Sequence, residues 1–206
     1  MKTDSGRPVR FVPPGPKDAY YEVTVHQTGY VETRPESLHD YFNALAWLAF
    51  PRTKAKLNAL HAAEIPRERG RRGALRDLLT IFDEGGAIVQ CDDDALLGLL
   101  RDFRWKELFW HNRSRVLENM RVIVFGHAVM EKALEPWPGV TCKALLVRAR
   151  GDADAQAHAW LESLPPRASP RDLSALPVFG FPGWLPQDEA FYDDARYFRS
   201  DAYGKT

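Results

Sequence analysis

Proline placement divides this chain before any other feature is read. Four of its fifteen prolines fall within residues 1–16 and six within residues 165–186, while none lies between Arg67 and Glu135. Proline lacks a backbone donor and clashes inside a helix or a central strand. Uninterrupted helices and strands therefore belong in the middle of the chain. The expected layout is a flexible N-terminal segment over 1–19, a core domain over 20–164, and a proline-rich extension over 165–206. That extension carries Phe179, Phe181, Trp184, Phe191, Tyr192, Tyr197 and Phe198, an aromatic load suited to wrapping a core.

Local pattern fills in the core. Tyr21, Val23 and Val25 alternate with polar residues ahead of Thr28-Gly29, which predicts one or two short strands over 20–33. Ser37 is placed to cap a helix over 38–50, with Leu38, Phe42, Leu45 and Ala49 as its apolar face. Pro51 suits the first turn of a second helix, which Pro66 ends. Two apolar runs, 79–82 and 87–89, flank Asp83-Glu84-Gly85-Gly86 and read as a β-hairpin with an acidic turn. The Asp92-Asp93-Asp94 run starts the next helical stretch. A strand over 121–125, a helix from 128, a strand over 141–148 and a helix over 152–164 follow. Alternation of this kind predicts a single α+β or mixed α/β domain, a small mixed sheet packed by helices, with the long aromatic-rich extension attached.

Composition removes several classes of function. Lysine plus arginine and aspartate plus glutamate each total 28, so no net charge favours a nucleic-acid coat or a polybasic membrane binder. The longest apolar run, Ala44 to Phe50, falls far short of a membrane span, and no secretory pattern follows Met1. A cytoplasmic location is the expectation. Cys91 and Cys142 lack metal-type spacing and read as buried free thiols. GxSxG, Walker and GxGxxG signatures are all missing.

Several word-like stretches stand out. They are His39-Asp40-Tyr41-Phe42-Asn43-Ala44-Leu45 with Trp47, Phe50-Pro51 with Lys54, Arg76-Asp77, Leu79-Thr80, Phe82-Asp83-Glu84 and Phe125-Gly126-His127-Ala128. Further on come Pro182-Gly183-Trp184, Phe191-Tyr192-Asp193-Asp194 and Phe198-Arg199. In this order they resemble a proteobacterial family catalogued only as domain of unknown function 3025, over roughly Tyr20 to Arg199. Leu38 stands where the resemblance leads one to expect tryptophan, and Tyr197 where it leads one to expect an aliphatic residue. The resemblance implies domain extent and brings no activity with it.

Chemistry must come from the residues. His39 and Asn43 share a helical face with Trp47, and Asp40 lies further round. A histidine near a carboxylate is the usual means of moving a proton at neutral pH; the structural alternative is a capping or core histidine. Lys54, Asn58 and His61 repeat the helical spacing, either as a solvated face or with Lys54 holding an anionic group. Asp83 and Glu84 serve either the turn or, with Arg76-Asp77 and histidines from elsewhere, a cation site. His127 follows a strand and a glycine and begins a helix, a common place for ligands in α/β layers. The catalytic candidates are therefore His39, Asp40, Asp83, Glu84 and His127. Asn43, Trp47, Lys54 and Arg76 would orient a substrate, and His39, Asp83 and His127 would be the ligands of a divalent metal.

The leading expectation is an enzyme, with metal-assisted hydrolysis of a small or phosphorylated substrate as its specific form. The alternative is a non-catalytic module that binds a phosphate-bearing ligand or nucleic acid through 67–76, where five arginines accompany one glutamate. As a plain loop, that stretch would pair with Asp188, Glu189, Asp193 and Asp194 of the extension. A structural or interaction protein docking through its aromatic tail is the third expectation.

Overall fold

The computed structural model describes residues 1–15, 20–68 and 71–200. Its framework is a mixed four-stranded sheet of Gly86–Cys91 (β3), Met120–Val124 (β4), Thr141–Val147 (β5) and Ser174–Pro177 (β6), in the order β4-β3-β5-β6. β3 runs antiparallel to β4 and parallel to β5, and β6 closes the far edge antiparallel to β5. Strand alternation sends successive side chains to opposite faces. Ala87, Val89, Cys91, Cys142 and Ala144 point into one core and Ile88 and Leu145 into the other. The mixed α/β class read from the sequence is thus the observed one, a small mixed sheet with helices packed against it. Both cysteines are buried and free.

The first core is covered by Asp94–Arg101 (α5), a π-helical turn over Glu107–His111 and the C-terminal segment. Phe179, Phe181, Tyr192, Tyr197 and Phe198 are buried in it. The Tyr197 hydroxyl accepts from the Phe179 amide at 2.9 Å and donates to the Val140 carbonyl at 3.0 Å. The second core is covered by Pro51–Glu64 (α3), Ala74–Gly85 (α4) and Ala153–Glu162 (α8). Asp154 of α8 ties down the start of α3, accepting from the amides of Arg52 and Thr53 and from the Thr53 hydroxyl. Arg113–Asn119 (α6) leads into β4, and His127–Lys132 (α7) follows it.

At the N-terminal side, Arg10–Val12 (β1) pairs in parallel with Tyr30–Glu32 (β2), and Tyr21–Thr28 (α1) connects them. Leu38–Ala49 (α2) follows. Among the described residues no helix is long and apolar enough to cross a membrane.

Three local expectations are overturned. Residues 21–28 form a helix instead of strands. Gly29, at φ 79°, ends that helix in the left-handed region, and a Cβ there would strike the Pro8 carbonyl oxygen at 2.2 Å. Tertiary packing of Val25 against Trp47 and Ala55 outweighs the β-branched composition. The hairpin over 79–89 is also absent, since α4 runs through Asp83-Glu84 to Gly85 and β3 begins at once. Leu75, Leu78, Leu79 and Phe82 carry the helical period, with the last three buried. Finally, α2 buries Ala46 and Trp47 and leaves Leu38 and Ala49 of the expected face exposed, so its inner face is rotated from the expected one.

Candidate functional site

A cavity of about 350 Å³ opens where α1, α2, α3, the C-terminal end of α4 and the N-terminal end of α7 meet. Its size is that of a small-molecule pocket. Helical spacing builds its walls. His39, Asn43 and Trp47 descend one face of α2, and Lys54, Asn58 and His61 do the same on α3. Asp83 and Glu84 arrive on the last turn of α4, and His127 opens α7. Gly126 makes that approach feasible, because a Cβ there would sit 2.5 Å from both the Glu84 carbonyl oxygen and the Gly86 nitrogen.

Eight of the nine residues chosen from the sequence line this one cavity. Arg76 is the exception. It stands behind the wall, donating to His61 Nδ1 at 3.3 Å and to Glu68 Oε2 at 2.6 Å. It thus supports a lining histidine and does not itself line the cavity. Glu84 is exposed at the rim.

The two histidines meet. His127 Nε2 lies 3.1 Å from His39 Nε2, with the rings edge to face. Behind His39, Glu131 Oε2 accepts from Nδ1 at 3.2 Å. His127 is buried, and its Nδ1 has no hydrogen-bond partner among the described residues. Burial lowers the His127 pKa, against the opposing pull of Asp83. His61 falls for the same reason, to about 4.

Lys54 is not on a solvated face. Its ammonium is buried, donating to Asp83 Oδ1 at 2.6 Å and Asn43 Oδ1 at 2.8 Å, and lies 5.7 Å from the centre of the Trp47 ring. It does hold an anionic group, but that group is the protein's own. Burial by itself would raise the Asp83 pKa; the Lys54 ammonium and then His127 outweigh it and hold the carboxyl low. Asp40 is locked by Arg34, which donates from Nε at 2.7 Å and Nη2 at 2.8 Å. Those bonds lower its pKa to about 2, so it stays ionised near neutrality and is no proton donor there.

Among the described residues, no group of three or more histidine, cysteine, aspartate or glutamate residues is arranged to hold a metal ion. Three of the described arginines of 67–76 turn to local acids and not to the extension. Arg67 pairs with Glu64, Arg72 with Asp77, and Arg76 with Glu68. The extension's acids have their own partners, with Glu189 and Asp193 on Lys106 and Asp194 on Arg196. Residues 69–70 of the patch lie outside the described residues.

Sequence reasoning missed Tyr21, Glu22 and Arg34 in the lining and Glu131 behind it. The first two were hidden by reading α1 as strand. Glu131 had a signal, since it follows His127 by four residues on one helical face. Glu22 Oε2 accepts from Asn58 Nδ2 at 2.6 Å. Burial raises the Glu22 pKa, and burial together with Glu22 raises that of the Tyr21 phenol.

Fold and cavity define a mixed α/β protein with a polar, histidine-bearing pocket at a helix junction. Residues 9–202 match the family described as "Protein of unknown function (DUF3025)", and the chain belongs to it. No curated protein and no solved structure matches the chain.

Proposed function

We propose that the protein is an enzyme using the His39–His127 pair for general acid–base chemistry on a small polar molecule held in the cavity. The approach of the two Nε2 atoms to 3.1 Å carries this reading. Facing nitrogens at that distance share one proton, because two N–H groups cannot point at each other. Glu131 keeps a proton on His39 Nδ1. With His39 neutral, His127 Nε2–H then donates to His39 Nε2. A substrate group entering between the rings would exchange that proton, with Glu131 orienting the outer imidazole.

The charge of the lining bears on the substrate. Five carboxylates (Glu22, Glu32, Asp40, Asp83 and Glu84) face two cations, Arg34 and Lys54, both already paired. This favours a neutral or cationic substrate over a phosphorylated one. The test is incubation with a metabolite mixture and mass-spectrometric detection of protein-dependent change. Each activity found is then measured in His39→Gln and His127→Gln. Loss of about 10²-fold or more in either variant, with the fold retained, is expected; a double variant as active as the native protein refutes the proposal.

The same pair supports a second reading, in which a divalent metal replaces the shared proton. Two imidazole nitrogens on a tetrahedral ion, with bonds of about 2.0–2.1 Å, lie roughly 3.3 Å apart, and a carboxylate behind a ligand histidine is the usual support. Asp83, the third ligand expected from the sequence, would have to leave Lys54 to join them. Elemental analysis of untagged protein decides between the two readings. Stoichiometric metal lost in both histidine variants favours the second.

A further inference from the structure

The α1–α3 side of the cavity carries chemistry that the histidine pair does not use. Asn58, on α3, is 3% exposed and lines the pocket. Its Nδ2 donates to the Glu22 carbonyl at 2.8 Å and to Glu22 Oε2 at 2.6 Å. Both neighbours are acceptors, so the amide orientation is fixed with nitrogen toward Glu22. That leaves Oδ1 as a buried acceptor without a partner. Glu22 forms no ion pair among the described residues, whereas the pocket's two cations are spent on Asp40 and Asp83. His61 and His127 add no charge near neutrality, since burial lowers both. A carboxyl with no ion-pair partner among the described residues, beside an acceptor without a donor, is half of a binding site, and a cation seated there would offset the burial that raises the Glu22 pKa. The missing half is a positively charged group with N–H bonds to give.

We propose that this side of the cavity binds a protonated amine, its ammonium seated on the Glu22 carboxyl group beside the Asn58 amide. The assignment rests on the reading of the cavity as a substrate pocket and names the class of molecule it takes. A cavity of about 350 Å³ is far larger than a bare cation needs, so an organic amine is the fitting occupant.

Isothermal titration of the native protein at neutral pH and low salt, with 1-pentylamine, 1,5-diaminopentane, 1-pentanol and pentanoate, tests it. The amines are expected to bind about tenfold or more tightly than the alcohol, the difference of a charge-assisted hydrogen bond, and pentanoate not at all. Glu22→Gln keeps an acceptor for Asn58 and should lose about tenfold or more in amine affinity. Equal binding of amine and alcohol overturns the proposal, as does amine affinity unchanged in Glu22→Gln. Should Glu22→Gln fail to fold, the amine–alcohol comparison on the native protein decides. Binding is read as heat and does not depend on turnover. Absent amine binding therefore sinks this assignment alone, while activity surviving loss of both histidines sinks the acid–base reading.

Discussion

Replacing Lys54 by methionine keeps an unbranched side chain, one atom shorter, and removes its charge from the bottom of the cavity. In the native protein the Lys54 and Asp83 side chains are 6% and 18% exposed and 2.6 Å apart. At an effective dielectric of about 20, that separation corresponds to an attraction of about 6 kcal/mol. Removing two ions from water costs several kcal/mol each, so the intact pair roughly breaks even. Removing one partner does not, because Asp83 keeps its burial and loses its counter-ion. The expected loss at pH 7 is about 3–5 kcal/mol, a fall of roughly 6–20 °C in Tm for a chain of this size. The pH dependence gives a second check. Because the Asp83 pKa is depressed in the folded protein, its contribution is present above the unfolded value of about 3.9 and is lost as pH falls through the folded value. In the variant, burial without Lys54 raises the Asp83 pKa instead. The stability gap is therefore widest near neutrality and narrows as the solution is acidified below about pH 5. Urea titrations of native and variant protein at several pH values measure it. Restoring neutrality with Lys54→Met/Asp83→Leu should recover most of the loss. A gap under about 1 kcal/mol at pH 7, or one that does not change with pH, refutes the reasoning.

Three further substitutions probe the frame around the site. Gly126→Ala forces a Cβ within 2.5 Å of two backbone atoms of the α4–β3 junction, which should cost about 2–3 kcal/mol by thermal melt and displace His127. Tyr197→Phe leaves the Val140 carbonyl bonded to the Val178 amide but orphans the Phe179 N–H; a loss of about 1–3 kcal/mol in urea is expected. Asp154→Ala strips the first turn of α3 of its acceptors and should cost about 2–3 kcal/mol, read by the same titration.

Much of the site was legible because its residues sit at helical spacings that survive ignorance of the fold. Ser37, Pro51, Asp93 and Asp152 mark helix starts by local chemistry, and each does so in the structure. What could not be read depended on contacts distant in sequence. Asp83-Glu84-Gly85-Gly86 has the composition of a turn; only the burial of Leu78, Leu79 and Phe82 on one face makes it a helix end. Tyr21 and Glu22 were missed with α1, whose only buried residue, Val25, gives no apolar stripe to detect. Lys54 looked like a surface lysine because its partner Asp83 lies 29 residues away. The sheet order followed from no local signal, since it is set by which strands share each core.

The protonation of the facing imidazoles tests the central claim most directly. ¹⁵N-labelled native protein, with His39→Gln and His127→Gln to assign the signals, gives the tautomer and titration of each ring. One proton is expected between the two Nε2 atoms, with His127 titrating below the ordinary histidine value. This titration should move up in His39→Gln, because His39 helps depress it. Protons on both facing nitrogens at pH 7, or a His127 that titrates at its ordinary value whether or not His39 is present, would contradict the claim.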